Sequence, residues 1–249
     1  MNGEVAQIRD IAIYTRHALK TKSKILYKPS KYENKIEFLF TENFKAKDVN
    51  EWYEHCIEKG LEDMKLSMPI AVKDPSLLAF SNTSQAGLVC YFKDNVVTYF
   101  IPKWEHKDNG WNIIYREYKW ENPPKEKVQF EDNTEDFKNT LSKIATLADK
   151  IDFQNFANIF TKAFNILNGD NIENIRNAFY GQYFFELPET NKRLFYASDI
   201  SDVFGAMGSW NDSPHCYAAE KGLENEYNNL SSELLTQIRL ALLYSVNEW

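Results

Sequence analysis

The chain has 249 residues, of which 43% are hydrophobic and 15% are aromatic, enough for a well-buried core in one large domain or two small ones. This composition excludes an intrinsically disordered protein. The formal net charge of -7 at pH 7 argues against a general nucleic-acid binder, because such proteins need a basic surface to displace counterions from phosphates. We therefore expect no nucleic-acid partner, and we expect a protein partner to be basic.

The first residues of the chain and its cysteines indicate the cellular compartment. Glu4 and Asp10 interrupt the first apolar residues, so this segment does not have the pattern of a secretory signal, and no apolar run is long enough to span a membrane. The three cysteines, Cys56, Cys90 and Cys216, are odd in number and widely spaced, which is typical of reduced thiols. These features predict a cytoplasmic protein with no membrane partner.

Residues 1–125 combine helices with short strands. Apolar residues at steps of three and four predict a helix from Val5 to about Lys20, and Asp48 is expected to cap a second helix that ends at Gly60. The β-rich runs are KIEFLF, GLVCYF, VVTYFI and WNIIYREYKW, with SMPIAV as a candidate extra strand. Because KDN and KDNG separate the last three runs, we predict an antiparallel meander.

After the segment ENPPKEK, the apolar pattern changes to a helical period. Asn133 is expected to cap the first helix of this region, with Asp136 three residues further on. The predicted helical stretches are Phe137 to Ile151, Phe153 to Leu167, Ile172 to Tyr180, Pro188 to Phe204 and Leu223 to Val246. The sequence therefore predicts an α+β fold, with a small antiparallel sheet and helices in residues 1–125 and a helical region at residues 130–249 packed on the first.

The stretch DVFGAMGSWNDSPHC, from Asp202 to Cys216, is the most unusual in the chain. On a structural interpretation, Gly205 and Gly208 adopt backbone angles that are closed to other residues, and Trp210 fills the corner that they make. The side chains of Asn211 and Asp212 fold back onto the backbone. The stretch is then scaffolding.

Two functional interpretations of the same stretch remain open. In the first, Asp199 and Asp202, which share a helix face, join Asp212 and His215 to hold a divalent metal ion or to supply an acid and a base for hydrolysis. Their spacing matches no named metal motif. In the second, an exposed Trp210, flanked by Asn211 and Asp212, anchors a contact with another protein.

Sequence motifs of the common enzyme classes are absent. There is no P-loop, no Gly-x-Gly-x-x-Gly, no Gly-x-Ser-x-Gly and no His-Glu-x-x-His. We therefore predict no cofactor and no resident metal, and we expect a protein without catalytic activity.

The segment DVFGAMGSWND, followed by an acidic helix, resembles a C-terminal element of uncharacterised bacterial proteins in which VFGGMGSWND is the commoner form. The resemblance covers about the last sixty residues, and Ala206 replaces the second glycine. The resemblance itself implies no known activity, and the role of a toxin-neutralising immunity or inhibitor protein is a hypothesis that we draw from the general character of such proteins. Residues 181–249 hold four Lys and Arg against ten Asp and Glu, which suits a basic partner. The leading hypothesis is therefore a cytosolic protein-binding protein, and the alternative is a metal-dependent hydrolase.

Overall fold

The computed structural model describes residues 3–172 and 187–249, and these form the α+β fold that the sequence predicts. The chain divides into two compact units. Gly3–Met68 and Ser81–Val128 form one, here called the sheet unit. Pro69–Phe80 and Gln129–Trp249 belong to the other, here called the helical unit.

The sheet unit carries all six strands of the described residues in one sheet. Its elements are α1 (Gly3–Thr21), β1 (Glu33–Leu39), β2 (Lys45–Ala46), α2 (Val49–Glu58), β3 (Leu61–Ser67), β4 (Gly87–Phe92), β5 (Val97–Lys107) and β6 (Gly110–Lys119). The strand order is β2-β1-β6-β5-β4-β3. Strands β4 to β6 form the predicted antiparallel meander, and β3 extends it by pairing antiparallel with β4, whereas β1 pairs with β6 in parallel. The sheet is therefore mixed rather than wholly antiparallel.

Two tight turns fix the register of the meander. Asp94 and Asn95 have φ values of 59° and 58° between β4 and β5, and Asp108 and Asn109 have φ values of 50° and 61° between β5 and β6. Two successive residues with positive φ form a type I′ turn, whose twist matches that of the flanking strands. The KDN and KDNG segments are thus the hairpin turns expected from the sequence.

Both helices of the sheet unit pack on the same face of the sheet. Phe38 of β1 lies opposite Tyr115 of β6, and their rings stack with centroids 4.6 Å apart. Trp52 of α2 stacks on Phe38 at 4.7 Å, while the Tyr115 hydroxyl donates a 2.6 Å hydrogen bond to Gln7 Oε1 of α1. Asp48 caps α2 as predicted, because its Oδ1 accepts the Glu51 amide at 2.8 Å.

The described part of the helical unit contains four long helices, and each of them packs against two of the others. Its elements are α3 (Thr134–Lys150), α4 (Gln154–Leu167), α5 (Glu189–Ser201), α6 (Ser213–Glu220) and α7 (Glu224–Asn247). The contacts run from α3 to α4, α4 to α5, α5 to α7 and α7 back to α3. Arg239 of α7 donates a hydrogen bond to the Pro69 carbonyl, which ties Pro69–Phe80 to this unit.

Some local predictions differ from the structure. The strand expected at residues 67–72 is wrong, because the strand is Leu61–Ser67 and its register shifts between Leu61 and Asp63, which disturbs the period-two pattern. Asn133 does not cap α3 with its side chain, which instead donates to Gln237. The helix predicted from Ile172 to Tyr180 lies, beyond Ile172, outside the described residues. No helix in the described ranges has the length and apolar character needed to cross a membrane.

Candidate binding site

The bend, defined here as Asp202–Asp212, is held by its own side chains. Asn211 Oδ1 accepts the Gly205 amide at 2.9 Å and the Ser209 hydroxyl at 3.0 Å, while Asn211 Nδ2 donates to the Gly205 carbonyl at 2.9 Å. Asp212 Oδ2 accepts the Gly208 amide at 2.8 Å. These bonds are those of the structural interpretation, and they leave the loop with a fixed backbone.

Only one of the two glycines uses its conformational freedom. Gly208 has a φ of 81°, a value that strains other residues. Gly205 does not have a positive φ, contrary to the prediction, and an added Cβ would lie 3.8 Å from Ser209 Cβ, an ordinary contact. Ala206 has no positive φ either, so the backbone at this position does not require a glycine.

Trp210 is core, and the prediction that it anchors a partner is wrong. Its side chain is fully buried, with the indole stacked on Tyr227 at 5.2 Å and edge-on to Phe156 and Phe160 at 5.3 and 5.2 Å. The indole Nε1–H donates to Ser231 Oγ at 2.8 Å, and the Trp210 carbonyl accepts the Tyr227 hydroxyl at 2.6 Å. Trp210 therefore fixes the bend to α4 and α7 and has no surface to offer to another protein.

The predicted Asp/His cluster is not assembled. Asp199 is buried, whereas Asp212 is exposed and bound to the Gly208 amide, and His215 Nε2 lies 3.7 Å from Glu224 Oε1. Within residues 3–172 and 187–249, no three Asp, Glu, His or Cys side chains come close enough to share a metal ion. The spacing of Asp199, Asp202, Asp212 and His215 placed them near one turn, but the bend directs their side chains to different environments.

Asp202 lies at the end of α5 in an environment that disfavours its charge. Burial raises the pKa of the Asp202 carboxyl, and the Asp199 carboxylate acts in the same direction. The Phe204 amide and the Arg239 guanidinium oppose this rise. The same burial lowers the pKa of Arg239, and Asp202 partly restores it. Arg239 is buried in the helical unit, whereas Asp202 is half-buried.

A cleft of about 410 Å³ opens beside the bend within the helical unit. Phe204, Asn211, His215 and Tyr227 line it, together with Lys73. Burial raises the pKa of Tyr227, so its hydroxyl stays protonated and keeps its hydrogen bond to the Trp210 carbonyl. The His215 ring packs edge-on against Tyr227 at 5.4 Å. The Tyr227 hydroxyl is therefore part of the contacts that hold the bend in place.

The large apolar residue that the bend presents to solvent is Met207, which the sequence did not single out. Its side chain is 95% exposed, between Ala206, which is also exposed, and Gly208. The sequence does hold a signal for an exposed Met207: it is an apolar residue between two small residues of a turn, and it belongs to no helical or strand period. Comparison with known proteins adds no further candidate residue, because no protein-family model matches the chain and no curated protein or solved structure is significantly similar to it.

Proposed function

We propose that this protein acts without catalysis, by binding another protein through the bend, with Met207 as the central apolar contact. The observation that carries the proposal is the 95% exposure of Met207 on a loop that Asn211, Asp212 and Trp210 hold in place. A rigid loop has little conformational entropy to lose on binding. The thioether is polarisable and unbranched, which suits it to an irregular partner surface.

The charge of the helical unit supports a basic partner. Residues 69–80 and 129–249 together hold ten Lys and Arg against nineteen Asp and Glu. Such a surface speeds the encounter with a positively charged protein and discriminates against acidic ones. The specific form of the proposal is that the partner is a basic toxin, which this protein neutralises.

Site-specific photocrosslinking in the native host tests this proposal. Benzoylphenylalanine at Met207 should capture one predominant protein, whereas the same probe at Leu77, an exposed apolar residue of the same unit, should not. Equal capture of the same proteins from both positions would count against a site at the bend.

The captured protein then allows a quantitative test. With both proteins purified, Met207→Glu should weaken the complex by at least about tenfold, the loss typical of a central apolar contact, whereas Met207→Leu should change it little. The dissociation constant should rise with ionic strength, because screening weakens the attraction of a basic partner to the acidic unit. A complex that is insensitive to both changes would contradict the proposal.

A further inference from the structure

An apolar depression with a volume of about 890 Å³ lies beside α2 in the sheet unit. Its apolar lining comes from Leu19, Ile25, Leu26, Tyr53, Ile57 and Leu61. We call this depression the α2 groove. It shares no residue with the bend or with the cleft beside it.

Two side chains make the α2 groove unusual for a surface. Leu26 is 53% exposed and Ile57 is 42% exposed, although both are large and apolar. Trp52, Tyr53 and Cys56 are buried residues of α2, whereas Ile57, the next residue along the helix, is exposed. Apolar side chains that converge on a concave surface are typical of a binding groove.

The segment that follows α1 forms one wall of the groove, and a turn at Lys22 fixes its position. Lys22 has a φ of 53° at the end of α1, the Lys22 amide donates to the Leu19 carbonyl at 3.4 Å, and the Ser23 amide donates to the Ala18 carbonyl at 3.0 Å. This left-handed ending stops α1 and sends the chain past α2. The Tyr53 hydroxyl reaches the Ser23 carbonyl at 3.5 Å, which joins the wall to α2.

Charges of opposite sign border the groove. Lys22 and Lys24 belong to the segment that follows α1, whereas Glu54, Glu58 and Glu62 lie on α2 and at the start of β3. Glu54 and Glu58 are four residues apart and share one side of the helix. Among residues 3–172 and 187–249, none of these five side chains forms an ion pair. Their charges are therefore available to a partner.

We propose that the α2 groove binds an amphipathic helix of another protein. The apolar ridge of that helix lies between Leu26 and Ile57, with acidic residues on the flank that faces Lys22 and Lys24, and basic residues on the flank that faces the glutamates. The ten residues of α2 span about 15 Å, which accommodates about three turns of a docked helix. A concave apolar floor fits a convex helix, and this mode of recognition is common.

Three synthetic helical peptides of equal apolar content test the proposal by titration against the full chain. The first carries Glu on one flank of its Leu ridge and Lys on the other, the second carries Lys on both flanks, and the third carries Glu on both. We expect the mixed peptide to bind at least about tenfold more tightly than either of the others, because only the mixed peptide presents charges of opposite sign to both rims of the groove. Non-specific attraction to a chain of net charge -7 would instead favour the peptide with Lys on both flanks.

Substitutions in the groove complete the test. Ile57→Glu and Leu26→Glu should each weaken binding of the mixed peptide by at least about tenfold, whereas Val96→Glu, at an exposed apolar residue of the same unit outside the groove, should leave it within about twofold. Circular dichroism of the variants checks that they remain folded. Similar affinities for the three peptides, or wild-type binding by both groove variants, would overturn the proposal. Self-association that Ile57→Glu abolishes would assign the groove to a second copy and would overturn it as well.

Discussion

At the residue scale, Asp202 makes the stability of the helical unit depend on pH. Burial raises the pKa of its carboxyl above the value of about 3.9 that an unfolded chain has, despite the opposing Arg239. Between these two pKa values the folded state binds more protons than the unfolded state, so the contribution of Asp202 to stability falls as the pH rises through this window. The carboxylate of Asp202 is thus tolerated at neutral pH rather than stabilising there.

Asp202→Asn should therefore raise the melting temperature at pH 7. It should leave the melting temperature unchanged at a pH below the pKa that Asp202 has in the unfolded chain, because there the carboxyl is protonated in both the folded and the unfolded state. Thermal unfolding followed by circular dichroism from about pH 3 to pH 7 measures the difference between the two proteins. Asp170→Asn, which removes an exposed carboxylate of the same unit, controls for the change in net charge. A melting temperature that drops at pH 7 in the Asp202 variant would mean that ionised Asp202 stabilises the fold.

At the scale of single elements, the bend depends on Asn211 more than on its neighbour Asp212. Asn211→Ala removes three hydrogen bonds at a partly buried position and should lower the free energy of unfolding by about 2 kcal/mol. Asp212→Ala removes one bond at an exposed position and should cost less than about 1 kcal/mol. Urea denaturation followed by tryptophan fluorescence provides both values. Equal losses in the two variants would show that the bond pattern does not control the stability of the bend.

The elements with a strong local signal were predicted from the sequence. Stripes of apolar residues and a capping Asp48 indicated α1 to α4 and α7 to within a few residues, because these signals are local. The parallel pairing of β1 with β6 could not be predicted in this way, since the two strands are far apart in sequence and no local pattern encodes their partner. Strand β3 was misplaced because its irregular register hides the alternation of buried and exposed residues.

The candidate site shows the same limit. Gly208, Asn211 and Trp210 predicted a corner that is held by its own side chains, because each residue type has a specific role in a turn, whereas the positive φ expected of Gly205 is not observed. Which apolar residue of the corner faces solvent depends on how α4 and α7 enclose it. Trp210 is buried against aromatic residues that are distant from it in sequence, whereas Met207, at the tip of the bend, is exposed.

At the scale of the whole molecule, charge is divided unequally between the two units. The sheet unit holds nineteen Lys and Arg against seventeen Asp and Glu, whereas the helical unit holds ten against nineteen. A surplus of one sign destabilises a compact state through self-repulsion, and salt screens that repulsion. The helical unit therefore carries an electrostatic cost that the sheet unit does not.

Raising the NaCl concentration from about 0.01 M to about 0.3 M shortens the Debye length from roughly 30 Å to below 10 Å, so it should stabilise the helical unit more than the sheet unit. Fluorine NMR of protein labelled with 5-fluorotryptophan separates the two, because Trp210 reports on the helical unit and Trp52 on the sheet unit. Both indoles are fully buried, so each resonance should shift when its own unit unfolds. We expect the thermal midpoint of the Trp210 resonance to rise with salt by more than that of Trp52. Equal shifts would mean that the acidic surplus is already neutralised by its arrangement, and the acidic surface would then attract a basic partner less strongly than its net charge implies.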